Sequence, residues 1–355
     1  MSKRALAPLV GLTCCLLSSA CSSDSHSSDG AKKVTIGWLA KGATNNFFDL
    51  SRHAAELAAQ DLASASGREV EVMLLDAQEN TADAQLAQAQ AAIDMGVDAL
   101  DISVLDPTLL TPVIDQAVDA GIPVLTFDSD APKSKRLSFY GISNLTGAQS
   151  AARLMSGLVG GQGKIAIMTA SGTMPGTLST SQTYTERMSG FTDTLAADYP
   201  DMEVVLTIPC GKTEETEKAG CTGLLEEATI AHPEITGWYL ARGRALREQE
   251  IENLAPTWAA AVQSGAVKVV GFDAPQDALQ SVQKGLINAL ITQDYFGWGY
   301  DVVSLSFDVV TFGRQMDAFT DSKFDVVCQN NIDQLVSMWD AQDFRTQLAP
   351  CDLPQ

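Results

Sequence analysis

The side chains best suited to chemistry fall in short segments that directly follow candidate β-strands. They are Lys41 to Phe48, Asp128-Ser129-Asp130, residues 170–180, Arg242 to Arg244, Phe272-Asp273 and Gln293-Asp294. An ionised carboxylate accepts two hydroxyl protons at once, and a guanidinium donates two bonds in a fixed plane. Aromatic rings cover a C–H face at small cost in side-chain entropy. Charges of this kind, once buried, need a partner in the ligand or a neighbour. The sequence carries no GxSxG elbow, no HExxH, no P-loop and no GxGxxG after the first strand. Asp128 and Asp273 could act as a glycosidase pair only at a catalytic separation with an open water path. The motif evidence for an enzyme is therefore thin, and no cofactor is expected. No metal site is expected, because the histidines, His26, His53 and His232, are spread apart and no cysteine pair of the mature region has CxxC spacing.

The elements that must position these residues alternate. Short β runs at 34–39, 70–75, 99–104, 123–127 and 137–142 are separated by helical patterns at 47–62, 81–95 and 107–120. The rhythm then repeats with helices at 146–159, 183–198, 216–231, 245–264, 275–284 and 297–313 around strands at 164–169, 203–208, 235–240, 267–272 and 287–292. Strands separated by helices of ten or more residues mean parallel sheets built from βαβ units. So many units exceed one open sheet and predict two doubly wound lobes. In such sheets the ligand site lies beyond the carboxyl ends of the strands, where the segments named above fall.

The N-terminus reads as an export signal: Lys3-Arg4, an apolar run from Ala5 to Leu17, then Ser18-Ser19-Ala20-Cys21. The run is too short to span a bilayer as a mature helix. A cysteine directly after small residues also resembles the bacterial lipoprotein signal, with residues 1–20 removed and Cys21 lipidated; Ser18 stands where that pattern prefers Leu, Val or Ile. Residues 21–32 would be the flexible tether. The net charge of −21 repels nucleic acid phosphates and anionic headgroups, so no nucleic acid partner is expected and membrane association only through the anchor. Four cysteines remain outside the signal: Cys210, Cys221, Cys328 and Cys351. An even set in an oxidising compartment reads as disulfides. Cys210 with Cys221 would close a short loop and Cys328 with Cys351 would pin the C-terminal tail, with other pairings open.

Six segments, in order, resemble the type I periplasmic binding proteins of sugar ABC transporters, in the ribose-binding-like branch. They are Asn45-Asn46-Phe47-Phe48, Gly121 to Asp130, Tyr140 to Asn144, Arg187 to Phe191, Val269 to Asp273 and Ala289 to Asp294. The resemblance spans roughly residues 33–345. It implies an α/β fold of two doubly wound parallel-sheet lobes joined by a three-strand hinge. The N-terminal lobe would be 33–142 plus 294–324 and the C-terminal lobe 143–293 plus 325–355. It also implies a ligand set: Asn45, Phe47 and Phe48 from the first contact loop, Asp128 as the first-lobe carboxylate, Arg187 and Asp273 from the second lobe, and Gln293 at the hinge. Lys41 stands where ribose binders carry a small polar residue, Ser129 replaces an arginine, and Arg242 stands near an asparagine position. Lys41, Arg187 and Arg242 together point to a polyol with some negative character, such as a sugar acid.

The function so implied is an extracytoplasmic, monomeric solute-binding protein, lipid-anchored at Cys21 in the periplasm or cell envelope, that delivers a sugar or sugar-like molecule to an ABC permease. The alternative from the same lobes is a sensor subunit presenting an autoinducer-like or sugar ligand to a membrane receptor or kinase. A sugar-responsive repressor core is disfavoured, because an export signal stands where a DNA-binding headpiece would be.

Overall fold

A computed structural model describes residues 32–41, 48–75, 79–170, 182–211, 214–247 and 250–353. The export signal, the tether and Cys21, together with Asn45, Phe47 and most of the 170–180 segment, lie outside the described residues.

The first sheet contains β1 (Val34–Leu39), β2 (Val70–Leu74), β3 (Ala99–Ile102), β4 (Val124–Phe127), β5 (Ser138–Gly141) and β11 (Phe319–Asp321), in the order β11-β5-β4-β3-β1-β2. The second contains β6 (Gly163–Ala170), β7 (Met202–Cys210), β8 (Ile235–Leu240), β9 (Lys268–Phe272), β10 (Ala289–Ile291) and β12 (Val326–Val327), in the order β12-β10-β9-β8-β6-β7. The two orders are one pattern used twice. All pairings are parallel except that of β10 with β12. In each sheet the strand order reverses between β1 and β3, or between β6 and β8, which opens a crevice at the carboxyl ends.

The flanking helices follow from their sequences. α1 (Asp49–Ser66) and α10 (Tyr300–Phe312) pack on one face of the first sheet, with Ala54, Ala55, Ala58, Val302 and Val303 buried. α2 (Ala82–Met95) starts at the Thr81 cap and α3 (Pro107–Asp119) at the Asp106 cap, whose carboxylate accepts from the N–H groups of Thr108 and Leu109. On the second sheet lie α4 (Asn144–Val159), α5 (Gln182–Asp198) and α6 (Glu214–Ala231). The helix expected over 245–264 is broken into a 3₁₀ turn at Gly243–Arg247, α7 (Ile251–Leu254) and α8 (Pro256–Gln263). Pro256 has no N–H to continue a helix and serves instead as the first residue of a new one. The pattern at 275–284 resolves into a 3₁₀ turn and α9 (Leu279–Gln283). α11 (Ile332–Ala341), which the sequence reading did not assign, buries Ile332, Leu335 and Trp339. Cys210 is bonded to Cys221 and Cys328 to Cys351, with Cα atoms 5.3 and 5.8 Å apart.

The chain passes between the sheets three times: after β5, after β10, and between β11 and β12. These crossings run side by side. Ser322 donates its N–H to the Gly141 carbonyl, and Thr292 donates its own to Asp325.

One buried acid stands apart from the cleft. Asp101 on β3 is fully buried beneath α10; Ser306 Oγ donates to its Oδ1 at 2.5 Å, and Oδ2 has no partner among the described residues. Burial pushes its pKa well above the carboxylate range. A proton bound more tightly in the folded state gives stability that is complete at acid pH and is lost as pH rises through the folded pKa. Asp101→Asn keeps the neutral shape, so its melting temperature, followed from pH 4 to 9, should fall less at the alkaline end than that of the parent. Parallel curves for the two proteins would show that Asp101 carries no bound proton.

Candidate functional site

On the first sheet, β1, β3 and β4 end at one edge, and the residues just beyond them include Lys41, Ser103 and Asp128. Lys41 Nζ lies 2.7 Å from Asp128 Oδ2. Ser103 Oγ donates to the same oxygen at 2.7 Å, and Lys41 also donates to Ser129 Oγ. Asp128 Oδ1 keeps its lone pairs, with no partner among the described residues. Asp128 has φ 58°, a left-handed conformation that aspartate tolerates better than most residues. Its N–H still bonds Tyr140 of β5, so the chain completes the ladder and turns at once.

The second lobe repeats the device. Asp273 follows Phe272 of β9, as Asp128 follows Phe127 of β4, and takes φ 70°. Its carboxylate meets Arg187 of α5 through two parallel bonds, Nη1 to Oδ2 at 3.1 Å and Nη2 to Oδ1 at 3.2 Å. Arg187 is 2% exposed. Its Nε donates to Asn144 Oδ1 at 2.9 Å, Nη1 also reaches the Ala241 carbonyl, and the guanidinium lies 4.0 Å over the Phe272 ring. Burial alone would weaken its charge; the Asp273 carboxylate outweighs it, and the pKa is raised. Gln293, just past β10, donates to Asp273 Oδ1 at 2.7 Å. A carboxylate has about four lone-pair sites, so these three donors leave about one for a further hydroxyl.

Gly243 fixes the remaining corner. A Cβ there would stand 2.4 Å from the Phe272 carbonyl oxygen, so only glycine lets the turn after β8 press against the end of β9. That close approach brings Arg242 to the cavity, where its guanidinium sits 5.8 Å from the Tyr184 ring.

Between the two walls is a cavity of about 580 Å³. Of the expected residues, Lys41, Phe48, Asp128, Arg187, Arg242, Asp273 and Gln293 line it. Phe48 does so from the core: it is 1% exposed and packs on Phe127 and Trp298. Several lining or supporting residues escaped the sequence reading, among them Ser103, Tyr184 and Asn144. Ser103 follows β3, which ends at Ile102, but falls inside the run read as 99–104 from the sequence, so the strand-end rule passed over it. Tyr184 lies three residues before Arg187, on one helix face, and its half-buried ring stands between the Arg187 and Arg242 guanidiniums, each 5.8 Å away. Asn144 caps nothing; it holds Arg187.

At the hinge, the Tyr140 hydroxyl lies 2.7 Å from Asp294 Oδ2 and 2.6 Å from Asp301 Oδ2. A phenol has one hydrogen to give, so the second short contact requires a proton on a carboxyl. Burial raises the Asp294 pKa, with the Asp301 and Asp325 charges adding to it, which makes Asp294 the natural holder.

A model of the periplasmic binding protein domain matches residues 36–315. The chain is 26% identical over 284 residues to the ribose import binding protein of Bacillus subtilis, covering 79% of this chain and 83% of that one. It is 28% identical over 225 residues to the D-ribose/D-allose-binding protein of Pseudomonas aeruginosa, covering 61% and 64% respectively. Among solved structures it is similar to an ABC transporter solute-binding protein from Burkholderia graminis in complex with D-arabinose, at 25% identity and a TM-score of 0.70, covering 84% of this chain and 96% of that one. An arabinose-binding protein from Geobacillus stearothermophilus gives 25% identity and a TM-score of 0.68, with coverage of 85% and 99%.

Proposed function

The chain belongs to the periplasmic binding protein domain family, and on that premise we propose that it captures a neutral sugar between its lobes and hands it to an ABC permease. Members of this family bind their solutes and do not transform them. The observation that carries the reading is the pair of strand-end aspartates, one per sheet, facing a shared cavity. Each offers free acceptor capacity to hydroxyls while a fixed cation balances it. A ligand touching both walls favours the closed arrangement by its differential affinity for it.

That balance turns the ligand away from a sugar acid. Lys41 is taken up by Asp128 and Arg187 by Asp273, so two of the cations that pointed to an anionic polyol are already paired. Relatives named for ribose, allose and arabinose support a neutral monosaccharide at this centre. The lobes of this reading are 33–142 plus 294–324 and 143–293 plus 325–355, hinged at the three crossings. The ligand contacts are Lys41, Asn45, Phe47, Phe48, Asp128, Arg187, Arg242, Asp273 and Gln293. The mature protein is a monomer held to the membrane by lipid at Cys21.

A thermal-shift panel tests the ligand class. At a hundredfold excess over Kd, a bound sugar adds about 2.7 kcal/mol, a rise on the order of 5 °C. Ribose, arabinose or allose should give such a rise, and aldonic or uronic acids should not. Stabilisation by the acids alone would reverse the assignment.

A further inference from the structure

Two rings at the β11 end of the first sheet lie outside the hydrophobic core, Phe139 half-buried and Phe319 exposed. Phe139 of β5 and Phe319 of β11 are register partners, and their rings stack with centroids 5.8 Å apart at 23°. Phe319 is 42% exposed. Both line the same cavity as Asp128 and Arg187. The Phe139 ring leans along its strand toward the cleft end: a Cβ on Gly141 would lie 2.6 Å from its Cζ. Glycine at 141 is what leaves the ring room to lie there.

Beside the rings, Arg136 is locked in place. Its Nε and Nη2 each reach an Asp130 carboxylate oxygen at 2.6 Å, and Nη1 donates to the Ala318 carbonyl at 2.7 Å. Asp130 also accepts from Thr126 Oγ1 and from the Ala131 N–H. The segment carrying Asp128 is thereby tied to the residue preceding Phe319. A ring platform bordered by a fixed planar cation is what the apolar face and hydroxyl edge of a sugar ring require. The cavity, at about 580 Å³, is of the size that holds drug-sized ligands, larger than one sugar ring.

We propose that the cleft carries a second subsite, formed by Phe319 and Phe139 with Arg136 at its border, which takes the second ring of a disaccharide whose first ring sits between Asp128 and Arg187. The proposal rests on the sugar reading of the central cavity.

Calorimetric titration separates the two. The ligands are D-ribose, L-arabinose, D-glucose and D-galactose, set against arabinobiose, maltose, cellobiose and lactose. At least one disaccharide should bind roughly three- to tenfold tighter than its constituent monosaccharide, the range expected of one stacked ring. Phe319→Ala should erase that margin and leave monosaccharide affinity within about twofold. Phe319→Leu, which keeps apolar cover without a ring, should lose most of the margin and carries the test if the alanine variant does not fold. Monosaccharide binding with every disaccharide rejected, or a margin untouched in both variants, overturns the second subsite and leaves the central one intact. No heat with any of the eight sugars would remove both.

Discussion

Replacing Arg187 by alanine should abolish sugar binding and lower the melting temperature together. Arg187 is inside the protein, and its charge is matched by Asp273, Asn144 and the Ala241 carbonyl. Truncation leaves Asp273 short of two donors and the carbonyl short of one. Breaking a buried pair from one side costs about 3–5 kcal/mol, a fall on the order of 10 °C for a chain of this size. The ligand effect adds to it. Asp273 would lose its fixed orientation as well as its counterion, and a rise in Kd of roughly 100-fold or more is expected, equivalent to about 2.8 kcal/mol or more of lost binding. Arg187→Lys should rescue little, since an ammonium cannot make the two parallel bonds or cover Phe272 with a plane. Calorimetry and a melting curve on the same sample give both readings. An alanine variant with parental melting and parental affinity would show that the pair is ornamental.

Tyr140→Phe should weaken the protein more as pH rises. The hydroxyl sits between Asp294 and Asp301 at the first and second crossings, and its removal leaves two carboxyls facing each other without their shared donor. A hydrogen bond to a charged group is worth about 1.5–3 kcal/mol. Asp294 already has a raised pKa because it is buried, and the Tyr140 bond opposes that rise. Without the bond the folded pKa climbs further. A group whose folded pKa is raised contributes its stability at acid pH and loses it as pH rises through that pKa. Toward acid pH, where Asp294 keeps its proton, it can itself donate to Asp301 and the defect should be small; toward alkaline pH the defect should approach the full hydrogen-bond value, with pH 5 and pH 8 as the two points compared. Chemical denaturation at the two pH values measures the difference. An equal loss at both would mean that the cluster holds no proton.

Much of this was legible in the sequence because the informative residues obey a positional rule. Parallel strands place function at their carboxyl ends, and Lys41, Asp128, Arg242, Asp273 and Gln293 all fall there. Arg187 was different: it lies inside a helix, and only the resemblance to a family pattern separated it from a surface arginine. Tyr184 could have been found by its helical spacing to Arg187. What spacing could not show was the pairing. The sequence places Lys41 and Asp128 eighty-seven positions apart, and nothing local indicates that they neutralise each other. The expectation of an anionic ligand came from counting cations without their partners. β11 and β12, at three and two residues, are too short for a periodic signal. Pro256, inside the 245–264 pattern, marks where that helix breaks and restarts.

The two strand-end acids also bear on how the protein meets its surroundings. Each is matched inside its own half before any solute arrives, so the guest encounters oriented dipoles rather than naked ions. If the guest is the proposed neutral sugar, its capture displaces few mobile counterions, and the Kd should be nearly indifferent to salinity.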